Sequence, residues 1–274
     1  MILNAINKIV NGVFDVIFYP AYLLPPGWAL FVVSALTGFL MILIFKSVSD
    51  QSEIKRVKSR IWAHFLGLRL YRNDAALSIK AVLSMFANNG KYLTLAIKPL
   101  LILMIPVLLV IFQLASRYEF RPLKIGERAI VEVTVAQDIP LTDVHLDSLP
   151  AIDIETSPLR VLGEHRISWR IRAVEEGIWT LLFRHEDRTV SKQLVIGEDW
   201  MKMAAHRVRG NSVRAMMFPA ESAIPGSDFL KDIHVQYPQR DLVVAGVGIH
   251  WFIFFFIASI LTGFIFKPVF KVEI

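Results

Sequence analysis

Three long uncharged stretches limit what this chain can fold into. They run from Ala21 to Phe45, from Pro99 to Ser116 and from Leu242 to Phe266, and each is nearly all apolar. A helix needs about 20 such residues to cross the hydrocarbon core of a bilayer. We therefore expect three transmembrane helices. The second is the shortest, and it can extend past Lys98, whose long side chain can reach the membrane interface.

The charges between these stretches predict an orientation. Residues 46–98 carry ten basic and three acidic side chains, whereas residues 117–240 carry 17 basic and 18 acidic ones. Short loops rich in lysine and arginine stay in the cytosol, and long segments are translocated regardless of their charge. The prediction is a multi-pass protein of the cytoplasmic (inner) membrane, with its N-terminus outside and its C-terminus in the cytosol.

Local patterns divide the rest of the chain. Residues 1–20 place apolar and polar side chains on opposite helical faces, which is typical of an amphipathic helix on the outer leaflet; a signal anchor fused to the first span is the alternative. Residues 118–198 alternate apolar and polar side chains between turns, which predicts an Ig-like β-sandwich.

The predicted fold class is an α-helical membrane protein with three transmembrane helices, a cytosolic helical hairpin and an inserted extracytoplasmic β-sandwich. The predicted segments are an outer-leaflet amphipathic helix (1–20), transmembrane helix 1 (21–46), a cytosolic basic helical hairpin (47–91), transmembrane helix 2 (92–117), the β-sandwich (118–198), an amphipathic or loop return segment (199–241), transmembrane helix 3 (242–267) and a cytosolic tail (268–274).

The cytosolic loop is predicted to form two helices. Apolar residues recur at helical spacing over Ile54–Phe65, and a second helix begins at Asn73 or Asp74 and ends at Asn88–Gly90. We expect their apolar stripes to bury against each other, which leaves a basic face for anionic lipid headgroups or for a polyanion such as ribosomal RNA. The alternative is that the charge only sets orientation. The basic contact residues are Lys55, Arg56, Lys58, Arg60, Arg69 and Arg72.

Polar residues and glycines interrupt the apolar stretches. A polar side chain at depth faces protein or water. The side chains of this kind in the apolar stretches include Ser34, Thr37, Gln113, His250 and Thr262. For His250 the alternative is an interfacial position beside Trp251. The motif SALTGF recurs as SILTGF, and small residues let helices approach closely. The predicted packing glycines are Gly38, Gly246 and Gly263.

This order of elements resembles the common core of the YidC-type membrane-protein insertases and their archaeal and endoplasmic-reticulum relatives. Two stretches carry the resemblance: PPGWALFVVSALTGFLMILIFKSVSDQSEIKRVKSRIWAH and NNGKYLTLAIKPLLILMIPVLLVIFQL. It covers residues 1–114 and 242–274. It implies a lipid-facing polar groove that assists client membrane segments without covalent chemistry, and a basic hairpin that receives the nascent chain or the ribosome. The residues that would line this groove are Ser34, Thr37, Gln113, His250 and Thr262. The alternative role of the repeated motif is that the hydroxyls of Thr37 and Thr262 line the groove floor. One departure is that many bacterial insertases carry an arginine inside the groove, whereas no predicted span here has an interior Arg or Lys.

Other functional classes have little support in the residues. The seven histidines show no metal-ligand spacing, cysteine is absent, and no phosphate loop, nucleophile elbow or H-E-x-x-H motif occurs. We therefore predict no enzyme, no catalytic or metal-binding residue, no cofactor and no DNA partner. The predicted partners are membrane lipids, client polypeptides and the ribosome. The second hypothesis is a non-catalytic accessory or scaffold subunit, whose outer β-domain (118–198) docks a periplasmic or membrane protein.

Overall fold

The computed structural model describes residues 2–70, 75–210, 213–244 and 246–273. The chain divides into two compact units. We call Met1–Ala29 with Ile111–Trp251 the β unit, and Leu30–Val110 with Phe252–Ile274 the helical unit. The helices in the described ranges are α1 (Ile2–Ala21), α2 (Pro26–Val48), α3 (Gln51–Leu70), α4 (Ala75–Tyr118), α5 (Val213–Met216) and α6 (Trp251–Phe270).

Three of the described helices are long and apolar enough to cross a membrane: α2, α4 over Ile79–Tyr118, and α6. At 1.5 Å per residue, the 44 residues of α4 extend about 66 Å, twice the roughly 30 Å of a hydrocarbon core. α4 continues through Asn88–Gly90, where the sequence predicts an end. Asn and Gly only lower helix propensity, so they do not force a helix to stop. The second helix of the predicted hairpin and the second apolar span are therefore one helix.

The β unit contains two antiparallel sheets and a small hairpin. Its strands are β1 (Arg128–Val135), β2 (His145–Leu146), β3 (Ile152–Ile154), β4 (Leu159–Val161), β5 (Arg166–Ala173), β6 (Gly177–His185), β7 (Arg188–Ile196), β8 (His206–Val208), β9 (Leu230–Val235), β10 (Leu242–Val244) and β11 (Val247–Ile249). The larger sheet has the order β3-β5-β1-β9-β8, with β4 also pairing with β5, and the smaller one has the order β2-β6-β7.

The two sheets share one apolar core. Side chains alternate along β1, where Ala129, Val131 and Val133 are buried while their neighbours face outward. Trp169 of the larger sheet and Phe183 of the smaller sheet meet in this core, with their ring centroids 5.8 Å apart. The apolar side chains of the alternating pattern, from which the strands were predicted, are therefore the ones that the strands bury in the core.

Residues 199–241 differ from the prediction of a return segment along the membrane. They contribute β8 and β9, and β9 lies between β1 and β8 in the larger sheet. Met203, Phe229 and Tyr237 are buried in the shared core. Polar side chains of β9 weaken its alternation, but Asp232 pairs with His206 of the neighbouring strand. A local sequence pattern cannot predict this pairing, because the two side chains lie on different strands.

The third apolar stretch also begins differently from the prediction. Its first residues form the β10–β11 hairpin, and α6 begins only at Trp251. Gly246, predicted to pack against a helix, has a φ of +83° in the turn of this hairpin, a conformation that glycine adopts readily. Valines on both sides of this turn favour strands, because their β-branched side chains fit a pleated surface.

Candidate functional site

The first candidate site is the helical arm, which we define as α3 and residues 75–98 of α4. On α3 only Ile54 and Val57 are buried, and no described side chain between residues 76 and 98 is buried. Trp62 is 62% exposed and Phe86 is 71% exposed. The exposed apolar residues of the arm are Trp62, Phe65, Leu66, Leu70, Leu77, Ile79, Val82, Leu83, Phe86, Leu93 and Ile97.

This exposure differs from the predicted burial of the two stripes against each other. The stripe on α3 is buried only in its first turns, and its continuation at Trp62 and Phe65 forms an exposed T-shaped ring pair with centroids 5.7 Å apart. Two helices alone lack the further layer that would cover the rest of an apolar face. An apolar surface of this extent marks a contact with a partner or a membrane.

Basic side chains flank the apolar surface of the arm. Four of the predicted contact residues are exposed, namely Lys55, Arg56, Arg60 and Arg69. Lys58 is half-buried and forms an ion pair with Glu273, with Nζ and Oε2 3.1 Å apart. Arg72 lies outside the described residues, as do the predicted helix caps Asn73 and Asp74. The arm thus presents aromatic and aliphatic side chains together with positive charge.

Glu53 joins the two helices of the arm. Its carboxylate accepts a hydrogen bond from Lys91 of α4 at 2.5 Å and pairs with Arg56 of α3 at 3.0 Å. The hydrogen bond from Lys91 lowers the pKa of the Glu53 carboxyl. This residue keeps its negative charge at neutral pH and links the first turns of α3 to α4.

The second candidate site is the interhelical cleft, an apolar cleft of about 290 Å³ between α2, α4 and α6 in the helical unit. Its lining includes Thr37, Phe45, Leu103 and Phe255. The sequence predicts a polar groove, but the Thr37 hydroxyl donates to the Val33 carbonyl of its own helix at 2.7 Å. Because the Thr37 hydroxyl is satisfied within its own helix, the cleft offers a mainly apolar surface.

The other predicted groove hydroxyls behave like that of Thr37. The buried Ser34 hydroxyl donates to the Leu30 carbonyl at 2.7 Å, and the Thr262 hydroxyl donates to the Ala258 carbonyl at 2.8 Å. Bonds to the carbonyl four residues earlier satisfy a hydroxyl within its own helix. These residues therefore do not require a polar ligand.

The repeated small-residue motif lies where α2 and α6 touch. A Cβ built on Gly38 would lie 2.1 Å from the Ser259 carbonyl oxygen, so the two backbones are in direct contact there. A Cβ on Gly263 would lie 3.8 Å from the Gly38 carbonyl oxygen, which is ordinary contact. Gly38 is thus the position that sets the helix separation.

The third candidate site is the arginine cluster of the β unit, built from α1, the end of α4 and the segment after β7. Arg117 is fully buried and donates to Asp15 at 2.5 Å, and its guanidinium lies 4.4 Å from the Phe18 ring centre. Gln113 accepts from Arg117 at 3.0 Å and donates to Asn11. Lys202 also pairs with Asp15, at 3.1 Å. Gln113, predicted as a groove residue, therefore belongs to a charged network.

This cluster borders a polar cleft of about 390 Å³, lined in part by Asn11, Asp15, Lys202 and Glu221. Glu221 accepts a hydrogen bond from the fully buried Lys192. Burial lowers the pKa of Lys202, and the ion pair with Asp15 opposes that shift. Positive and negative groups alternate here, so the arrangement is suited to holding α1 against the end of α4 and the β sheets.

His250 lies apart from the other predicted groove residues. It is exposed and immediately precedes α6, with its ring centroid 5.9 Å from that of Trp251. The histidine therefore lies at the end of an apolar helix rather than within it. This placement fits the interfacial alternative.

Sequence reasoning missed the arginine cluster, although a signal was present. Asn11 and Asp15 are four residues apart on α1, and Gln113 and Arg117 are four residues apart on α4. Residues at this spacing share one helical face. Two such polar pairs on otherwise apolar helices are complementary, but 102 residues separate the partners. Only the fold brings them together.

Comparison with known proteins identifies no relative of this chain. No protein-family model, no curated protein and no solved structure matches it. Within the described ranges, no group of three or more histidine or carboxylate side chains could hold a metal ion. The helical arm and the interhelical cleft are therefore the features from which a function can be argued.

Proposed function

We propose that this protein is a membrane-embedded assembly factor that assists the insertion or folding of other membrane-protein segments. The helical arm carries this proposal, because it exposes aromatic and aliphatic side chains beside basic ones on helices that continue from apolar spans. A nascent membrane segment offers the complementary chemistry, since it is apolar and still lacks its final partners. The alternative assignment, a scaffold, does not require an exposed arm of this kind.

The proposal places α2, the second half of α4 and α6 in the membrane. About 20 residues of α4 suffice to cross the hydrocarbon core, so the roughly 24 that remain extend about 36 Å beyond it. The excess of lysine and arginine in residues 46–98 supports a cytosolic location for this arm, with the protein in the inner membrane. The β unit then lies on the outer side.

The interhelical cleft supplies a second contact along the same unit. Its apolar lining suits the side chains of a client transmembrane helix better than the polar groove of the YidC-type insertases would. A client segment captured by the arm would be transferred to this cleft and leave sideways into lipid. The drive is the hydrophobicity of the client, which gains roughly 25 cal/mol for each Å² of apolar surface removed from water.

For the β unit we propose an Ig-like sandwich that docks a periplasmic or membrane partner. Its two antiparallel sheets share one core, as in sandwich domains. Exposed apolar residues such as Leu162 and Ile178 provide a surface for such a partner. If this docking were the main role, the scaffold hypothesis would replace the assembly-factor hypothesis.

Site-specific photo-crosslinking tests the proposed function. A photoreactive residue replaces Phe65 or Phe86 of the arm, Thr37 of the cleft, or Leu162 of the β unit as the control, in membranes carrying stalled ribosome–nascent chain complexes. We expect the arm and then the cleft to crosslink to a hydrophobic nascent chain as it lengthens, and the control at Leu162 to form no crosslink to that nascent chain. Crosslinks from Leu162 to one fixed protein, with none from the arm, would establish a scaffold instead.

A second experiment removes the apolar character of the arm. In the triple variant Trp62→Gln, Phe65→Gln and Phe86→Gln, we expect client insertion in a reconstituted assay to fall about tenfold or more, since several exposed anchors are lost together. The matched control replaces Leu162 and Ile178 by Gln and should leave insertion unchanged. Equal insertion by both variants would exclude the arm as the client site.

A further inference from the structure

The end of α6 and the beginning of α3 form a second cleft in the helical unit, which we call the lysine cleft. It has a volume of about 500 Å³. Three lysines line it: Lys55 of α3, Lys267 of α6 and Lys271, the first residue after α6. Gln51 and Ser52 of the first turn of α3 complete its polar wall.

Lys271 has an uncommon backbone conformation for its residue type. Its φ is +52°, while the Val272 amide donates to the Lys267 carbonyl at 3.1 Å and the Lys271 amide donates to the Pro268 carbonyl at 3.2 Å. These two bonds define a Schellman motif, and the left-handed position of that motif is usually glycine because a Cβ is strained there. A lysine at this position suggests that its side chain is needed in the cleft.

The segment after α6 is fixed on α3. Val272 is buried, the Glu273 amide donates to the Gln51 side-chain oxygen at 2.6 Å, and Lys58 pairs with the Glu273 carboxylate at 3.1 Å. These contacts hold the segment that carries Lys271 against α3, so that Lys271 and Lys55 line the same cleft. The lysine cleft is therefore built by specific contacts of both elements.

The lysine cleft carries an excess of positive charge. Glu273 is the carboxylate in its lining, and it is already paired with Lys58. Within the described part of the chain, no carboxylate forms an ion pair with Lys55, Lys267 or Lys271. Cations near the end of a helix offset its dipole, which accounts for Lys267 and Lys271 but not for Lys55 on another helix. Three lysines that line one cleft suit a phosphate.

We propose that the lysine cleft binds the phosphate of an anionic phospholipid headgroup. The proposal rests on the membrane placement of α6 given above. The apolar residues of α6 end at Phe270, so on that placement the three lysines lie at headgroup level. Each lysine near an anionic membrane surface raises the binding constant for that surface about fivefold. The bound lipid would fix α3, and with it the helical arm, at the membrane surface.

The test measures lipid binding to the purified full-length protein in neutral detergent by native mass spectrometry. The probes are phosphatidylglycerol, phosphatidylcholine and inorganic phosphate. The variants are Lys55→Gln, Lys267→Gln and Lys271→Gly, and the charge-matched controls are Lys80→Gln and Lys124→Gln, exposed lysines that do not line the cleft. Lys271→Gly is the sharpest variant, because glycine relieves the strained backbone and should keep or raise the melting temperature.

We expect phosphatidylglycerol to bind in preference to phosphatidylcholine, and each cleft variant to weaken it about fivefold while both controls bind normally. Equal binding of the two lipids, or equal losses in cleft and control variants, would overturn the proposal. Displacement of phosphatidylglycerol by low inorganic phosphate would identify a soluble phosphate as the ligand and would also overturn it. Flotation with phosphatidylcholine vesicles separately tests the membrane placement, since a protein that fails to float is not an integral membrane protein.

Discussion

Arg117 is fully buried while its partner Asp15 is 54% exposed, so the two members of this ion pair are not equivalent. Removing one partner of a buried pair leaves an uncompensated charge, and the cost is highest when the remaining charge is the buried one. Asp15 can turn to water or to Lys202, whereas Arg117 has few other partners: it bonds to Gln113 and Ser116, and its Nε lacks a partner among the described atoms.

We therefore expect Asp15→Asn to destabilise the β unit more than Arg117→Met does. The expected losses are about 3 kcal/mol for Asp15→Asn, near the low end for a broken buried pair, and about 1 kcal/mol for Arg117→Met. The measurement is thermal unfolding in detergent followed by tryptophan fluorescence. In the double variant, Arg117→Met should recover part of the loss. A larger loss in Arg117→Met would mean that packing of the guanidinium on Phe18 dominates.

The ion pair of Arg121 and Glu127 predicts an acid response of the β unit. The two hydrogen bonds from Arg121 lower the pKa of Glu127 from 4.5 to about 2. A carboxyl whose pKa is lower in the folded state stabilises the fold above its unfolded pKa, and this contribution is lost as the pH falls from about 4.5 to about 2. In Glu127→Gln the melting temperature should fall less steeply across this window. Identical slopes in both proteins would contradict the prediction.

At the scale of elements, the contact between α2 and α6 depends on one missing side chain. Gly38 has the Ser259 backbone where its Cβ would be, whereas Gly263 has room for a methyl group. The two glycines belong to the two copies of the same short motif, yet the structure makes them unequal. Close backbone approach is the usual reason for small residues between apolar helices.

Gly38→Ala should therefore destabilise the helical unit by about 1–3 kcal/mol, the usual cost of overpacking. Gly263→Ala, the matched control, has room for the methyl group and should be neutral or stabilising by up to about 1 kcal/mol, since alanine is the better helix former. Unfolding in mixed micelles of increasing denaturing detergent measures both. Equal tolerance of the two substitutions would mean that α2 and α6 do not contact each other at Gly38.

The continuity of α4 through the helical arm gives a second prediction at this scale. Gly90 is exposed, lies within the helix and has open space where a Cβ would be. Replacing a helical glycine by alanine stabilises a helix by about 1 kcal/mol. Gly90→Ala should slow amide hydrogen exchange in residues 79–98 about fivefold, while exchange in β5 and β6 stays unchanged as the internal control. Unchanged exchange in α4 would indicate a helix that ends before Gly90.

At the scale of the whole molecule, the proposed topology places the arm and the β unit on opposite sides of the membrane. The natural chain has no cysteine, so single introduced cysteines can be labelled without background. In intact cells, a membrane-impermeant thiol reagent should label Asp187→Cys in the β6–β7 turn and should not label Leu70→Cys at the end of α3. After permeabilisation both should react. Labelling of Leu70→Cys from outside would invert the topology.

The sequence by itself determined the features that depend on local pattern. Apolar stretches such as Ala21–Phe45, which contains most of α2, predict apolar helices because hydropathy is a property of neighbouring residues. The strands around Trp169 follow in the same way, because alternation has a period of two residues. Helix α4 is longer than the sequence predicted. The weak helix formers at Asn88–Gly90 do not prevent helical hydrogen bonds, so the helix continues through them.

Only the tertiary structure decided which distant residues meet. It joined Asn11 and Asp15 to Gln113 and Arg117, inserted β9 between β1 and β8, and brought Lys271 to Lys55. Each of these contacts links segments far apart in the chain, and its partner is chosen by burial and charge pairing summed over the whole fold. Local periodicity describes neighbouring residues and carries no information about contacts between distant segments. The helices and strands were therefore predictable from the sequence, and the side-chain clusters that they form were not.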